Sequence, residues 1–261
     1  MCIILVQPPE VEIPEDHLKN SYSYNEDGIG YMFCTKEGEL RIRKGFNDYN
    51  SFLLKYYEDW LENSQSHFVL HFRISTSGEI DRSNCHPFSC HKHNAGFCHN
   101  GILTHWTSAT SKHSDTRRFL YNVLDRMPTG FLDNRGICRL LNQYAFETSS
   151  KFVFLLPEEN SVIIMNESAG SWDSGVWYSN STYQWCYSSN YSIQHYVPKT
   201  GFETSSKFDT QKTGDLVYDF CEHCQDWYKS NELEICHGLK LCESCIQQLH
   251  PSLYGSTQQD Y

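Results

Sequence analysis

Cys2 follows the initiator methionine and leads into the apolar run Ile3-Ile4-Leu5-Val6. Cysteine is small enough for an aminopeptidase to remove Met1 ahead of it. One residue would then carry both a thiol and a free α-amine. The thiolate is a nucleophile, and an α-amine titrates near ~8, so it can accept the thiol proton at neutral pH. The plain alternative is a small buried cysteine opening an edge strand. A second group of thiols lies near the other end, Cys221-x-x-Cys224 and Cys242-x-x-Cys245, with 17 residues between the pairs. Paired CxxC at that interval is the pattern of a tetrahedral zinc site with four thiolate ligands. Cys236 and His237 lie between the pairs, where either could replace a ligand. A segment of about 25 residues cannot bury a core of its own, so a metal is a natural way to fix it. A closed site of four thiolates offers no open position to a substrate, so the expected role of Zn2+ is structural.

A third stretch, Cys90, His91, His93 and Cys98, is also rich in ligating side chains. Residues 83–95, which hold the first three of these, read as a loop, with a metal centre as the alternative.

The elements that must position these residues follow from periodicity. Residues 2–7 form a strand, ended by Pro8 and Pro9, and an acidic, turn-rich stretch runs to Asp27. Residues 28–34 and 39–43 make a hairpin. Asp48 caps a helix over 49–63, with Phe52, Leu53, Tyr56, Tyr57 and Trp60 at helical spacing. Strands follow at 68–74 and 96–103, amphipathic helices at 114–126 and 132–145, a hairpin at 152–156 and 162–165, and a strand at 175–180. Residues 187–217 are polar and read as a linker. The heptapeptide Phe-Glu-Thr-Ser-Ser-Lys-Phe occurs twice, at 146–152 and 202–208, and nothing in its composition explains the repetition.

Composition narrows the function classes. The net charge is −11, which argues against nonspecific nucleic-acid binding and against anionic membrane surfaces. No run of about 18 apolar residues exists to span a membrane. The N-terminus lacks the basic region of a secretory signal. Twelve cysteines in such a chain read as reduced thiols and metal ligands in a cytoplasmic protein.

Strands, two helices, then more strands point to two stacked antiparallel sheets between helical layers. In that order the chain carries Cys2 after Met1, Arg73-Ile-Ser-Thr-Ser-Gly78, His99-Asn100-Gly101 and Ser114-Asp115, supported by Asn25-Glu-Asp-Gly-Ile-Gly30, His86-Pro87-Phe88 and Tyr178-Ser179-Asn180. With these pieces the sequence resembles the class II glutamine amidotransferases, N-terminal-nucleophile hydrolases of αββα architecture, over residues 2–184, about 70% of the chain. No single motif is specific; their order is. The resemblance implies an α+β, four-layer αββα sandwich over 2–186, with a zinc-bearing module at 218–250 that the family does not require.

It also implies roles. Cys2 attacks the side-chain amide of glutamine, forms a glutamyl thioester and releases ammonia, then glutamate. Asn100 and Gly101 form the oxyanion hole. Arg73 holds the substrate carboxylate, Thr76 supports it, and Asp115 holds the ammonium. Taken alone, each has an ordinary reading: Arg73 a surface strand arginine, Asn100-Gly101 a hairpin turn, Asp115 a helix cap. The chain is too short to include a synthase domain, so the expected partner is a separate acceptor synthetase or ligase. Two other functions stay open, a γ-glutamyl amide hydrolase without ammonia transfer and a non-enzymatic zinc-bearing interaction protein.

Overall fold

In the computed structural model the described residues are 2–75, 78–108, 110–184 and, near the C-terminus, 218–220, 227–229, 233–236, 239–243 and 245–246. They fall into two units. The first opens with β1 (Ile3–Gln7), whose side chains are all buried, then α1 (Glu15–Ser23). The hairpin β2 (Ile29–Cys34) and β3 (Leu40–Phe46) leads to α2 (Tyr49–Glu62), β4 (Phe68–Phe72), β5 (Phe88–Cys90) and β6 (Ala95–Asn100). Next come α3 (Asp115–Asn122), α4 (Arg135–Glu147), β7 (Lys151–Leu156), β8 (Ser161–Met165), β9 (Ser171–Asp173) and β10 (Val176–Tyr178).

Two antiparallel sheets result. One has the order β3-β2-β4-β1-β10-β9 and the other β5-β6-β7-β8. Strand alternation separates their faces. Ile4, Val6, Met32, Val69 and Trp177 from the first sheet form one apolar cluster with Cys98, Val153 and Leu155 from the second. The opposite face of the second sheet, with Phe97, Phe152 and Phe154, packs on Phe119, Leu120 and Leu141 of α3 and α4. The outer face of the first sheet meets α2 through aromatic pairs, among them Phe52 with Phe72 at 5.4 Å and Tyr56 with Phe68 at 6.0 Å. The expected mixed α+β class with antiparallel sheets is what the chain adopts.

Local signals explain most elements. Asp48 accepts from Ser51 N (2.8 Å) at the start of α2, the cap that the sequence predicts. Asn134 accepts from Gly136 N and Ile137 N and so delays α4 to Arg135, three residues later than expected. The stretch read as turns contains α1. Only Leu18 and Ser21 of that helix are buried, so it presents almost no apolar stripe to periodicity. The loop expected over 83–95 holds β5 and two single-turn 3-10 helices. Cys90 packs in the helix-side cluster and Cys98 in the inter-sheet cluster, so the two thiols face different layers.

The second unit, described by itself, contains two antiparallel hairpins: β11 (Tyr218–Phe220) with β12 (Trp227–Lys229), and β13 (Leu233–Cys236) with β14 (Leu239–Cys242). The linker expected at 187–217 and the second copy of the heptapeptide lie outside the described residues. Among the described residues, no helix is long and apolar enough to cross a membrane.

Candidate active site

β1 sets the position of Cys2. Ile4 and Val6 face the inter-sheet cluster, and period-two alternation puts Cys2 on the same side, at the end of the strand. The β1–β4 ladder pairs Ile3 with Phe72, so the next step brings Cys2 beside the segment Arg73-Ile74-Ser75. There the thiol is held twice. Cys2 Sγ donates to Ile74 O at 3.2 Å, and Ile74 N donates to Cys2 Sγ at 3.3 Å. Asn180 Nδ2 donates to Cys2 O at 2.7 Å. Burial pushes the Cys2 thiol above its ordinary value, while the Ile74 N–H and the charge of Arg73 pull the other way.

Arg73 is buried. Its Nη2 donates to Ser75 Oγ (3.2 Å) and to Glu79 O (3.1 Å), so the guanidinium gathers the loop that follows β4. It also lies against the Cys85 thiol, which burial pushes up and the neighbouring charge of Arg73 pulls down. Thr76 lies outside the described residues.

Asn100 ends β6 on the inter-sheet side, two residues after Cys98. Its Nδ2 donates to Ser179 Oγ at 2.6 Å. That hydroxyl also accepts from Ile4 N at 2.8 Å, and Ser179 N donates to Ile4 O at 3.0 Å. A short polar chain therefore joins Asn100 on one sheet to the residue two past Cys2 on the other. Gly101 breaks the strand with φ +148°; a Cβ there would run into Ser150 Oγ and lie 2.8 Å from Ser150 Cα. Only glycine fits this close approach. The pair is thus a strand end and not the tight hairpin turn that Asn-Gly often forms.

Asp115 opens α3, but the capping residue is Ser114, whose Oγ accepts from Arg117 N at 3.2 Å. Asp115 Oδ2 accepts from Leu103 N at 2.7 Å and Oδ1 from Thr116 N at 2.8 Å. The carboxylate thus ties α3 to the loop beyond Gly101. Thr116 Oγ1 donates to Oδ1 as well, at 3.4 Å, so both carboxylate oxygens are engaged by the protein.

No protein-family model matches this chain, and no curated protein matches it. The geometry stands by itself. It links Cys2, Arg73 and Asn100 at one end of the inter-sheet layer, with Gly101 and Asp115 joined to Asn100 through β6 and the loop after it.

Two residues with a part in this geometry were given no role from the sequence. Lys151 pairs with Asn100 across β6 and β7 and shares the inward face of Val153 and Leu155. Burial pulls its pKa down. An inward lysine in an otherwise apolar strand is a visible signal once the register is known. His99 contacts Thr116 Oγ1 at 2.7 Å and Ser150 Oγ at 3.1 Å, pinning α3 to β6; burial lowers its pKa to about 4, against the opposing charge of Asp115.

The paired CxxC thiols near the C-terminus are described only in part. Cys242 ends β14 and Cys245 follows within one turn; both are buried. Cys221 and Cys224 lie outside the described residues. Among the described residues no three His, Cys, Asp or Glu side chains converge on a metal position.

Proposed function

We propose that this chain is a glutamine amidotransferase or glutaminase that uses Cys2 as its nucleophile, within a four-layer arrangement of the N-terminal-nucleophile type. The observation that carries the reading is the double hold of Ile74 on the Cys2 thiol, through its N–H and its carbonyl, one residue after a buried arginine. A thiol fixed at a strand end beside a buried guanidinium is placed to react with an amide whose α-carboxylate pairs with that arginine.

The chemistry follows from the residues. With Met1 removed, the Cys2 α-amine takes the thiol proton, and Sγ attacks the side-chain carbonyl carbon of glutamine. Negative charge builds on the carbonyl oxygen. Asn100 Nδ2 carries two hydrogens; Ser179 Oγ takes one, and the second is available to the oxyanion. The backbone N–H of Gly101 is the other donor, and losing one such donor costs about 10²–10³ in rate. The C–N bond then breaks, and the departing ammonia takes the proton from the amine. Water adds to the thioester, the C–S bond breaks, and glutamate leaves with the thiol restored. Arg73 holds the α-carboxylate in a charge-assisted pair, Thr76 supports that end, and Asp115 receives the α-ammonium. The ammonia passes to a separate synthetase or ligase.

A zinc ion would be held by Cys221, Cys224, Cys242 and Cys245. Two buried thiols one turn apart at the end of β14 fit half of such a donor set. The metal would supply cross-linking and no chemistry at Cys2.

The deciding experiment is hydrolysis of glutamine by the full-length chain against Cys2→Ala. Ammonia and glutamate release in a one-to-one ratio, abolished in Cys2→Ala at an unchanged melting temperature, is the expected result. Activity on γ-glutamyl amides but not on glutamine would replace this reading with γ-glutamyl hydrolysis. No activity on either would remove both.

A further inference from the structure

The segment Asn25–Gly28, between α1 and β2, reaches the thiol indirectly. Asp27 N donates to Arg73 O at 2.9 Å, Arg73 N donates to Gly28 O at 2.9 Å, and Asp27 Oδ2 accepts from Ser75 N at 2.7 Å. Residues 73 and 75 are therefore both fastened to one turn. Ile74 lies between them, and its N–H and carbonyl are the two groups that hold Cys2 Sγ. The turn itself is locked from behind. Gly28 has φ +140°, and a Cβ on it would come within 2.5 Å of Cys85 Sγ. The clamp thus has three bonds, two from main chain and one from a carboxylate.

We infer that Asp27 is a positioning residue for the nucleophile: its carboxylate fixes Ser75, and so aims the Ile74 peptide groups at Cys2 Sγ. It touches no substrate and acts through Ile74. The inference rests on the reading of Cys2 as the nucleophile. Among the influences that favour the ionised thiol against the cost of burial, the Ile74 N–H comes first, and loosening the clamp would withdraw that donor. A misplacement of about 1 Å in a reacting group can cost 10²-fold in rate. The main-chain bonds of residue 27 survive any substitution other than proline, so side-chain variants isolate the carboxylate's share.

The test uses the full-length chain and three readouts on Asp27→Ala and Asp27→Asn. They are the pH profile of Cys2 alkylation by iodoacetamide, resolved by peptide mass, the kcat and KM for glutamine, and the melting temperature. Asp27→Ala is expected to lower kcat by about 10²-fold. Its alkylation midpoint should move up by about 0.5–1 pH unit, the size set by losing one hydrogen bond to the ionised form. Asp27→Asn keeps an oxygen that accepts from Ser75 N–H and should stay within about threefold of the parent in kcat. A lowered melting temperature with a parental profile and kcat would make Asp27 a stability residue only and overturn the inference. Asn damaged as badly as Ala would also overturn it, because charge and not the bond would then matter. If the parent hydrolyses no γ-glutamyl compound yet the alkylation profile shifts as stated, the positioning role stands and the amidotransferase reading falls.

Discussion

Lowering the pH from 7 to 5 should remove about 5 kcal/mol of folding stability, and three buried histidines are the reason. His71 follows Val69 by two residues on β4, so it points into the inter-sheet layer. Its ring lies 4.1 Å from that of His86, which lies 6.4 Å from that of His99. Among the described residues, none of the four ring nitrogens of His71 and His86 meets a hydrogen-bond partner. Burial, then the charge of Arg73, lowers the His71 pKa to about 3. Burial, then His71 and His99, holds His86 well below its ordinary value, and burial puts His99 at about 4.

In the unfolded chain each imidazole titrates near ~6.5. The native state stays neutral while the unfolded chain takes up protons. The stability from these depressed values is present above about pH 6.5 and lost as the pH falls toward the folded values. At pH 5 the solution lies about 1.5 pH units below the unfolded value, at about 1.36 kcal/mol per unit, so each histidine costs about 2 kcal/mol and the three about 6. His93 and His113, both pulled down by burial, add in the same direction. Asp125 works the other way. Burial raises its carboxyl to about 6, so the native state binds that proton first. Discounted for partial exposure, it returns about 1 kcal/mol by pH 5.

A net loss of about 5 kcal/mol is comparable to the whole stability of many domains, about 5–15 kcal/mol. Urea titrations at pH 7, 6, 5.5 and 5 would follow it as a falling midpoint, and His71→Gln should flatten the slope by about a third. A midpoint unchanged between pH 7 and pH 5 would mean that the native imidazoles bind protons, and the argument from burial would be wrong.

The substrate contacts and the metal make two further expectations. Arg73→Ala removes a charge-assisted pair worth about 1.5–3 kcal/mol, so KM for glutamine should rise by roughly 10- to 150-fold. Asp115→Ala should raise KM similarly and also lower the melting temperature, because its oxygens hold Leu103 N and Thr116 N; a lower melting temperature with unchanged KM would leave it a purely structural residue. Metal analysis should find one zinc per chain, lost on changing Cys221, Cys224, Cys242 or Cys245 to Ser, with glutamine hydrolysis largely retained. No zinc, or two per chain, would contradict that donor set.

How much of this was legible in the sequence depends on the range of each interaction. The α2 cap at Asp48 and the apolar spacing of that helix are local, and the helix begins at the expected residue. α1 was hidden because two buried residues do not make a stripe, and β5 and β9 because three residues carry no periodicity. At the site, Cys2, Arg73, Asn100 and Asp115 stood out by type and order. What joins them did not. Ser75 N meets Asp27 across 48 residues, and Ile4 N meets Ser179 across 175. Such bonds follow from sheet register, which no short motif encodes. Lys151 looked like one residue of a repeated heptapeptide until its pairing with Asn100 gave it a face.

The central claim is that Cys2 reacts with glutamine, and an electrophilic glutamine analogue tests it most directly. The full-length chain would be treated with a diazoketone analogue, with and without excess glutamine, and each of the twelve cysteines followed by peptide mass. The account predicts modification of Cys2 alone, on a chain that lacks Met1, and protection by glutamine. Modification at Cys90 or Cys98 in place of Cys2, or at Cys2 with Met1 still attached and the protein fully active, would contradict it.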